Sequence, residues 1–169
     1  LNMGLGQWHA VLGQLAARHT VYAIDCLGSG GSTRLPLVEL SIEKDVLAPV
    51  AEFIRGVIGP SLAILGHSLG AFAALRLALS MPEQVRAVVA VAPVGFVEYT
   101  PAKFRLLGSR MFMRFISATA MRVSVKTMSD FLGSVMADRT ALDPVFTEYF
   151  VSALQVDPVS HPFELIHRM

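Results

Sequence analysis

The stretch Ser61–Leu79, SLAILGHSLGAFAALRLAL, decides the fold of this chain. Its first five residues, SLAIL, form a short apolar run of the kind that becomes a strand inside a sheet. A glycine-containing turn, GHSLG, follows at Gly66–Gly70, and small and apolar residues then predict a helix over Leu69–Leu79 that Met81-Pro82 ends. The stretch therefore predicts a strand that turns directly into a helix.

The residues on either side repeat this alternation of strand and helix. Short runs rich in β-branched and apolar residues predict two more strands, at Thr20–Ile24 (TVYAI) and Val85–Ala92 (VRAVVAVA). Helical spacing predicts helices over Gln7–Arg18 and from Ser41, the expected N-cap, to Gly59-Pro60. Strands that alternate with helices predict the α/β class, with a mostly parallel sheet flanked by helices.

The chain changes character after Pro93, where the sequence predicts helices and no further strand of comparable strength. Those helices are expected at about 102–116, at about 125–136, from Asp143-Pro144, and after His161-Pro162.

Two features of this helical part allow more than one interpretation. Residues 101–126 hold six basic residues and no acidic one. They form either a cap helix that covers a site, which we favour, or a surface for an anionic lipid or substrate. His161 and His167 are either a displaced catalytic base or ordinary cap residues.

The composition predicts a globular protein. Of its 169 residues, 53% are hydrophobic and 16% charged, and the formal net charge is +1. That is enough apolar material for a core, and the balanced charge gives no reason to expect a nucleic acid partner. A lone cysteine, Cys26, excludes a disulfide framework, and Leu1–Trp8 lacks the features of a signal peptide. We therefore expect a cytoplasmic location.

The mean hydropathy of +0.55 raises the question of a membrane span. The most apolar region, Leu62–Leu79, is interrupted by His67, Ser68 and Arg76, and polar groups are costly at the centre of a bilayer. We therefore predict no integral membrane segment. Parallel strands that are covered on both faces would give the same hydropathy.

The pattern Gly66-His67-Ser68-Leu69-Gly70, placed between a strand and a helix, is typical of a serine nucleophile on a sharp turn. A side chain at the position two residues before or two residues after the serine is expected to collide with the neighbouring elements. Glycine is therefore expected at both positions, Gly66 and Gly70. Free N–H groups at the start of the helix favour an oxyanion, so the Leu69 N–H is an expected oxyanion donor for Ser68. The alternative is a glycine-rich turn without chemistry.

This motif, with the helix and strand that follow it as far as Pro93, resembles the α/β-hydrolase superfamily. The loop Asp25–Ser32 (DCLGSGGS) is similar to the family's D-x-x-G-x-G-x-S loop, and Trp8 lies where the family often has an aromatic residue. The resemblance implies a partial α/β-hydrolase core with a nucleophile elbow at residues 1–97 and a truncated helical cap at 98–169. A serine nucleophile makes the chain similar to the esterase and lipase-like, C–C hydrolase and perhydrolase branches.

The resemblance also implies parts that this sequence does not contain. The family orders its triad as Ser, then Asp or Glu, then His, so the acid and the histidine are expected beyond Met169. A His-Gly loop with the second oxyanion donor is expected before Leu1, as is a strand between Thr20–Ile24 and Ser61–Leu65. We therefore expect the functional unit to be longer than this chain and the chain alone to be nearly inactive.

Other residues able to do chemistry have simpler interpretations. His67 adjoins the nucleophile but is not its expected base, because neighbouring side chains on the turn point apart, so packing is its expected role. Asp25 is expected to hold the glycine loop through side-chain-to-backbone bonds, and Cys26 to be an inert thiol. A nucleotide-phosphate loop is the weaker interpretation, because the fingerprint G-x-G-x-x-G needs glycine where Thr33 stands.

The reaction implied by the resemblance is hydrolysis of a small or medium hydrophobic ester or ketone through an acyl-enzyme on Ser68. Neither a metal nor an organic cofactor is implied, and the sequence leaves the oligomeric state open. A second hypothesis is a non-catalytic α/β-hydrolase-like protein that uses its cap and crevice to bind a ligand or partner.

Overall fold

The computed structural model describes residues 5–33, 41–95, 124–135, 137–138 and 142–156 of the chain. These residues fall into two compact units. We call residues 41–95 the elbow unit, and we call the other described residues the helical unit. The helices predicted at about 102–116 and after His161-Pro162 lie outside the described residues. The expected boundary between residues 97 and 98 stays a prediction.

Most of the described elements lie where the sequence predicts them. In chain order, they are helix α1 (His9–Ala16, after a 3-10 turn Leu5–Trp8), helix α2 (Ala48–Phe53, between the π-helical turns Ile42–Leu47 and Ile54–Ile58), strand β1 (Leu62–His67), helix α3 (Leu69–Ser80), strand β2 (Val85–Val91), helix α4 (Val125–Val135) and helix α5 (Pro144–Val156).

The two strands of the elbow unit form a parallel sheet. Its register pairs Ile64 with Val88 and His67 with Val91, and an irregularity interrupts the register between Leu62 and Ala63. Helix α3 joins the two strands and packs against both of them. A parallel pair of strands joined by a helix confirms the predicted α/β class.

The core of the elbow unit lies between its helices and one face of the sheet. Ile54, Leu77 and Met81 are each 2% exposed, and they form one cluster with Ala51 and Val85. Partly buried side chains from both strands pack against this cluster. Because side chains alternate between the two faces of a strand, these contacts cover only one face of the sheet.

The opposite face of the sheet is exposed within this unit, so the two strands are not covered on both faces here. Leu65 is 37% exposed, Val89 55% and Val91 44%. The register places Leu65 beside Val89, and Val91 lies two residues further along the same strand, so all three share one face. The core cluster lies on the other face, which leaves these apolar side chains uncovered.

Thr20–Ile24 does not form a strand, and that prediction is wrong. Its side chains do alternate as those of a strand would, since Val21 and Ala23 are half-buried while Tyr22 and Ile24 are exposed. However, the described strands β1 and β2 pair only with each other. A strand requires backbone hydrogen bonds to a neighbouring strand, and side-chain alternation does not report whether that neighbour is present.

Helix α2 and its flanking turns begin at Ser41, as predicted. The Ser41 hydroxyl accepts a hydrogen bond from the Lys44 N–H at 3.4 Å, and the Asp45 carboxylate accepts one from the Ser41 N–H at 2.6 Å. These reciprocal bonds satisfy N–H groups that the start of a helix leaves without an intrahelical acceptor. The predicted stop is also confirmed, because Gly59 has a φ of +84° and donates its N–H to the Ile54 carbonyl.

We expect Ser41→Ala to lower the free energy of unfolding by about 1 kcal/mol, because the Lys44 N–H loses its side-chain acceptor. Ser41→Thr is the matched control, since it keeps a hydroxyl at the same place. Urea unfolding followed by circular dichroism measures both variants. A loss as large in the threonine variant as in the alanine variant would contradict the role of Ser41 as the cap.

The helical unit confirms two of the helices predicted after Pro93. Helices α4 and α5 pack against each other, and α5 also contacts the turn Leu5–Trp8. The Asp143 carboxylate accepts a hydrogen bond from the Val145 N–H at 2.8 Å and caps α5, as predicted. Thr147 is fully buried and donates its hydroxyl to the Asp143 carbonyl at 3.1 Å. Across the described ranges, no helix combines the length and the apolar character that a membrane span requires.

Candidate active site

The turn from β1 into α3 holds Ser68 in a conformation that residues with a side chain rarely adopt. Its φ is +54° and its ψ is −117°. A non-glycine residue in such a region costs roughly 1–3 kcal/mol, so the surrounding structure must hold it there. The Ser68 N–H donates to the Val91 carbonyl at 2.9 Å, and the Ser68 carbonyl accepts from the Ala71 N–H at 3.1 Å. The strained strand-to-helix turn that the sequence predicts is therefore confirmed.

Val91 is a residue of this site that the sequence reasoning missed. The parallel register pairs it with His67, so the next N–H along β1, that of Ser68, meets the Val91 carbonyl. This contact extends the sheet one residue into the turn. The order of the elements, strand, elbow, helix, strand, contained the signal, because it placed the end of β2 beside the end of β1.

Gly66 is required where β1 approaches the start of α3. It is buried, and a Cβ built on it would collide with the carbonyl group of Gly70 and come within 2.7 Å of the Ala71 nitrogen. All of these are backbone atoms, which cannot rotate away as a side chain can. The predicted steric need for glycine two residues before Ser68 is confirmed.

The same prediction is wrong two residues after the serine. Gly70 is exposed, and a Cβ built on it would meet nothing within 4 Å. The Cα of Gly66 faces the carbonyl group of Gly70, so a side chain has no room at Gly66. The Cα of Gly70 faces open space, so a side chain has room there. Pattern symmetry about Ser68 suggested equal crowding, whereas the strand and the helix present different sides of their backbones to each other.

Leu69 places a backbone donor directly after the serine. Ser68 is the N-cap of α3 and Leu69 is its first helical residue. The first amides of a helix have no acceptor inside that helix, and the helix dipole adds partial positive charge at this end. The turn therefore places a backbone donor of the kind that can stabilise an oxyanion directly after the Ser68 hydroxyl.

His67 is half-buried at the end of β1. Burial lowers its pKa below the ordinary value of 6.5, because the charged imidazolium is poorly solvated there. The unfolded chain therefore binds this proton more tightly than the folded one. The stability linked to neutral His67 is present above pH 6.5 and is lost as the pH falls through the lowered pKa.

Asp25, in the helical unit, holds the glycine loop as predicted. Its carboxylate accepts the Gly31 N–H at 2.8 Å and the Leu5 N–H at 2.5 Å, and its carbonyl accepts the Ser32 hydroxyl at 2.6 Å. Gly30 has a φ of +50°, and a Cβ on it would collide with this carboxylate. Since a carboxylate already occupies the inside of the loop, the arrangement argues against a phosphate-binding loop.

Cys26 has the character of an inert thiol, as predicted. Burial raises its pKa, and the nearby Asp25 carboxylate acts in the same direction, because both oppose the thiolate. In the described part of the chain, no three His, Cys, Asp or Glu side chains come together in a way that could hold a metal ion.

The chain belongs to the α/β-hydrolase family. Residues 4–166 match the model described as the "Alpha/beta hydrolase family". The match includes the whole of both units, and the parallel strands joined through the elbow are the local fold that this family requires.

Curated relatives match about half of the chain. The (lyso)-N-acylphosphatidylethanolamine lipase of Mus musculus is 34% identical over 95 residues, which are 55% of this chain and 28% of the relative. The 1-acylglycerol-3-phosphate O-acyltransferase ABHD5 of Homo sapiens is 34% identical over 98 residues, 56% of this chain and 28% of that protein. The pimeloyl-[acyl-carrier protein] methyl ester esterase of Aeromonas hydrophila is 35% identical over 85 residues, 50% of this chain and 32% of the esterase. The matched stretch thus spans less than a third of each relative.

A solved structure resembles nearly all of the chain. The crystal structure of a point mutant of the meta-cleavage product hydrolase CumD superposes with a TM-score of 0.66 and 19% sequence identity. The superposition covers 94% of this chain and 54% of that one. At this identity, the likeness supports the shared fold.

Proposed function

We propose that the complete protein is a serine hydrolase in which Ser68 attacks a carbonyl carbon and forms an acyl-enzyme. The observation that carries the proposal is the conformation of Ser68, with a φ of +54° between β1 and α3, in a chain of the α/β-hydrolase family. A strained turn presents the hydroxyl away from the backbone of both elements, where a substrate can reach it. The relatives named as a lipase and an esterase support hydrolysis as the reaction class.

The proposed reaction has two steps. In the first, the Ser68 oxygen bonds to the carbonyl carbon while its proton passes to a base, and the Leu69 N–H donates to the oxyanion. The tetrahedral intermediate then collapses, and the leaving group departs with that proton. In the second step, a water molecule attacks the acyl carbon in the same way and releases the acid, which restores the Ser68 hydroxyl.

The base and the acid that orients it come, in this proposal, from residues outside this 169-residue chain. His67 is the histidine among residues 41–95, and it lies directly before the nucleophile on β1. Side chains of adjacent residues at the end of a strand point to opposite sides, so His67 is not suited to take the Ser68 proton. We propose that the 169-residue chain alone is nearly inactive because the base and the acid are outside it, since loss of the base costs about a million-fold in a well-studied serine protease.

The proposed substrate is a small or medium hydrophobic ester or ketone. The names of the relatives include a methyl ester esterase and a phospholipid lipase, and the structurally similar hydrolase acts on meta-cleavage products.

Covalent labelling of the complete protein tests the proposal. A fluorophosphonate probe should label the wild-type protein and fail to label Ser68→Ala, because the probe forms its bond with an activated serine oxygen. The tryptic peptide 56–76 should carry the label, and it contains two serines, Ser61 and Ser68. Ser61→Ala is therefore the matched control, and it should keep the label.

Other results would contradict parts of the proposal. Labelling of Ser68→Ala at the wild-type rate would exclude Ser68 as the nucleophile. Tight ligand binding that survives Ser68→Ala, in a protein that never reacts with the probe, would instead indicate the non-catalytic alternative. Rapid labelling of the 169-residue chain alone would overturn its proposed inactivity.

A further inference from the structure

His9, the first residue of α1, connects two segments of the helical unit that are far apart in sequence. Its Nε2 lies 2.5 Å from the Oδ2 of Asp143, 134 residues later in the chain. Its Nδ1 lies 3.1 Å from the carbonyl oxygen of Gly6 in the turn Leu5–Trp8. Asp143 also caps α5 through its other oxygen, which accepts the Val145 N–H. His9 therefore joins the turn Leu5–Trp8 to the start of α5.

The two partners of His9 are both hydrogen-bond acceptors. A backbone carbonyl has no proton to donate, and neither has an ionised carboxylate. A neutral imidazole has one donor nitrogen and one acceptor nitrogen, so it can satisfy only one of these partners. The imidazolium has an N–H at each nitrogen and can satisfy both. The geometry alone thus selects the protonated form of His9.

We propose that His9 and Asp143 form a proton-dependent latch, closed while His9 is protonated, that holds the turn Leu5–Trp8 against helix α5. The step is a simple proton exchange with solvent, and both side chains are accessible to it, with 36% and 39% of their surface exposed. When His9 loses its proton, one nitrogen presents a lone pair to an oxygen, and that contact becomes repulsive.

The contact between the turn Leu5–Trp8 and helix α5, which the latch holds together, is tightly packed. The ring of Tyr149, on α5, lies so close to Gly6 that a Cβ on the glycine would collide with it. The turn contacts α5 directly, and α5 packs in turn against α4. Opening of the latch would therefore loosen the packing of Gly6 on Tyr149 before it affects the interior of the unit.

The groups around His9 are consistent with a cation at this place. Asp143 faces it directly, and the turn Leu5–Trp8 carries no charged side chain. Helix α5 also carries Glu148 and Tyr149 along its sequence, and the Asp25 carboxylate accepts the N–H of Leu5, the first residue of the turn. On α4, the charges of Lys126 and Asp130 are paired with each other at 3.1 Å.

Both partners of the latch have shifted pKa values. The hydrogen bond to Asp143 raises the pKa of His9 above its ordinary value of 6.5, and the bond to the Gly6 carbonyl adds to this. The bond to His9 lowers the pKa of Asp143 below 3.8, and the bond from the Val145 N–H acts in the same direction. The stability from His9 is fully present below pH 6.5 and is lost as the pH rises through its raised pKa. The stability from ionised Asp143 is present above pH 3.8 and is lost as the pH falls through the lowered pKa of Asp143.

An NMR titration of the His9 ring in the full chain tests the latch. We expect a pKa above 6.5 in the wild-type chain. Asp143→Asn is the decisive variant, because its side-chain oxygen still caps α5 while its NH₂ group turns toward His9. An NH₂ group donates, so it favours a neutral His9 ring and should bring the His9 pKa below that of the wild type. The backbone amide chemical shifts of the same sample show whether the fold has changed.

Amide hydrogen exchange, corrected for intrinsic rates, measures the opening itself. Protection of residues 5–8 should decrease as the pH rises through the measured His9 pKa in the wild-type chain, and it should not follow pH in His9→Gln. A His9 pKa at or below 6.5, an unchanged pKa in Asp143→Asn, or protection of residues 5–8 that is independent of pH would each overturn the latch. If Asp143→Asn does not fold, the comparison of wild type with His9→Gln decides.

Discussion

Ser68→Ala is expected to abolish turnover in the complete protein, by about a million-fold in kcat. That is the loss measured when the nucleophile of a well-studied serine protease is removed, because the remaining binding groups retain only a small part of the rate enhancement. The variant should fold normally, because alanine and serine have similar difficulty at a φ of +54°. Hydrolysis of a chromogenic short-chain ester by the purified complete protein measures the effect.

The control for this experiment is Ser61→Ala, which makes the same change, serine to alanine, at another residue with a positive φ. Ser61 also has a positive φ, +68°, and it is exposed before β1. Ser61→Ala should therefore keep the wild-type kcat and the wild-type melting temperature. If Ser68→Ala keeps more than about a tenth of the activity, another group performs the attack, and Ser68 is then a residue of the turn only.

Gly66→Ala is expected to have the second largest effect, a loss of about 3 kcal/mol in the free energy of unfolding. This value is at the upper end for an overpacked site, because the added methyl group meets the backbone of Gly70 and Ala71. The start of α3 must move to relieve the contact, and Ser68 moves with it. Displacement of a reacting group by about 1 Å costs about a hundred-fold in rate, so activity at permissive temperature should fall as well.

Gly70→Ala is the matched control, because it adds the same methyl group on the other side of Ser68. A Cβ built on Gly70 would meet no atom within 4 Å outside its chain neighbours and its own helix backbone, and Gly70 is exposed on the helix. Alanine is favoured over glycine in helices by up to about 1 kcal/mol, so stability should be unchanged or slightly higher. Thermal unfolding of both variants measures the difference. Equal losses in the two variants would show that the close approach at Gly66 is not what requires glycine.

The sequence predicted those parts of the fold that depend on neighbouring residues. β1, α3 and β2 follow from the apolar runs and the turn between them, and Ser41 and Asp143 cap their helices as their residue types suggest. The caps are set by hydrogen bonds within a few residues, and the two strands have apolar side-chain patterns that are visible in the sequence and pair across the one helix that joins them. The position of the elbow was predictable in the same way, because it lies between a strand and a helix that are adjacent in sequence.

Features that depend on distant residues were not predictable from the pattern. Thr20–Ile24 has the alternation of a strand, but it would need a partner strand beside it to become one. The need for glycine at Gly66 but not at Gly70 depends on how β1 and α3 are oriented at their contact. His9 gave no signal at all, since its partner Asp143 lies 134 residues away and only the fold brings the two side chains together.

The hydrogen bond from the Ser68 N–H to the Val91 carbonyl also makes the geometry of the elbow depend on the pairing of the two strands. The bond spans 23 residues, a separation for which loop closure has a modest entropic cost. Helix α3 can form from its own local contacts, whereas the elbow lacks this restraint until β2 is docked beside β1. We therefore expect the geometry of the elbow to be acquired with the docking of the strands rather than with the formation of the helix. During refolding of the complete protein, labelling of Ser68 by a fluorophosphonate should accompany the appearance of the sheet and follow that of helical structure.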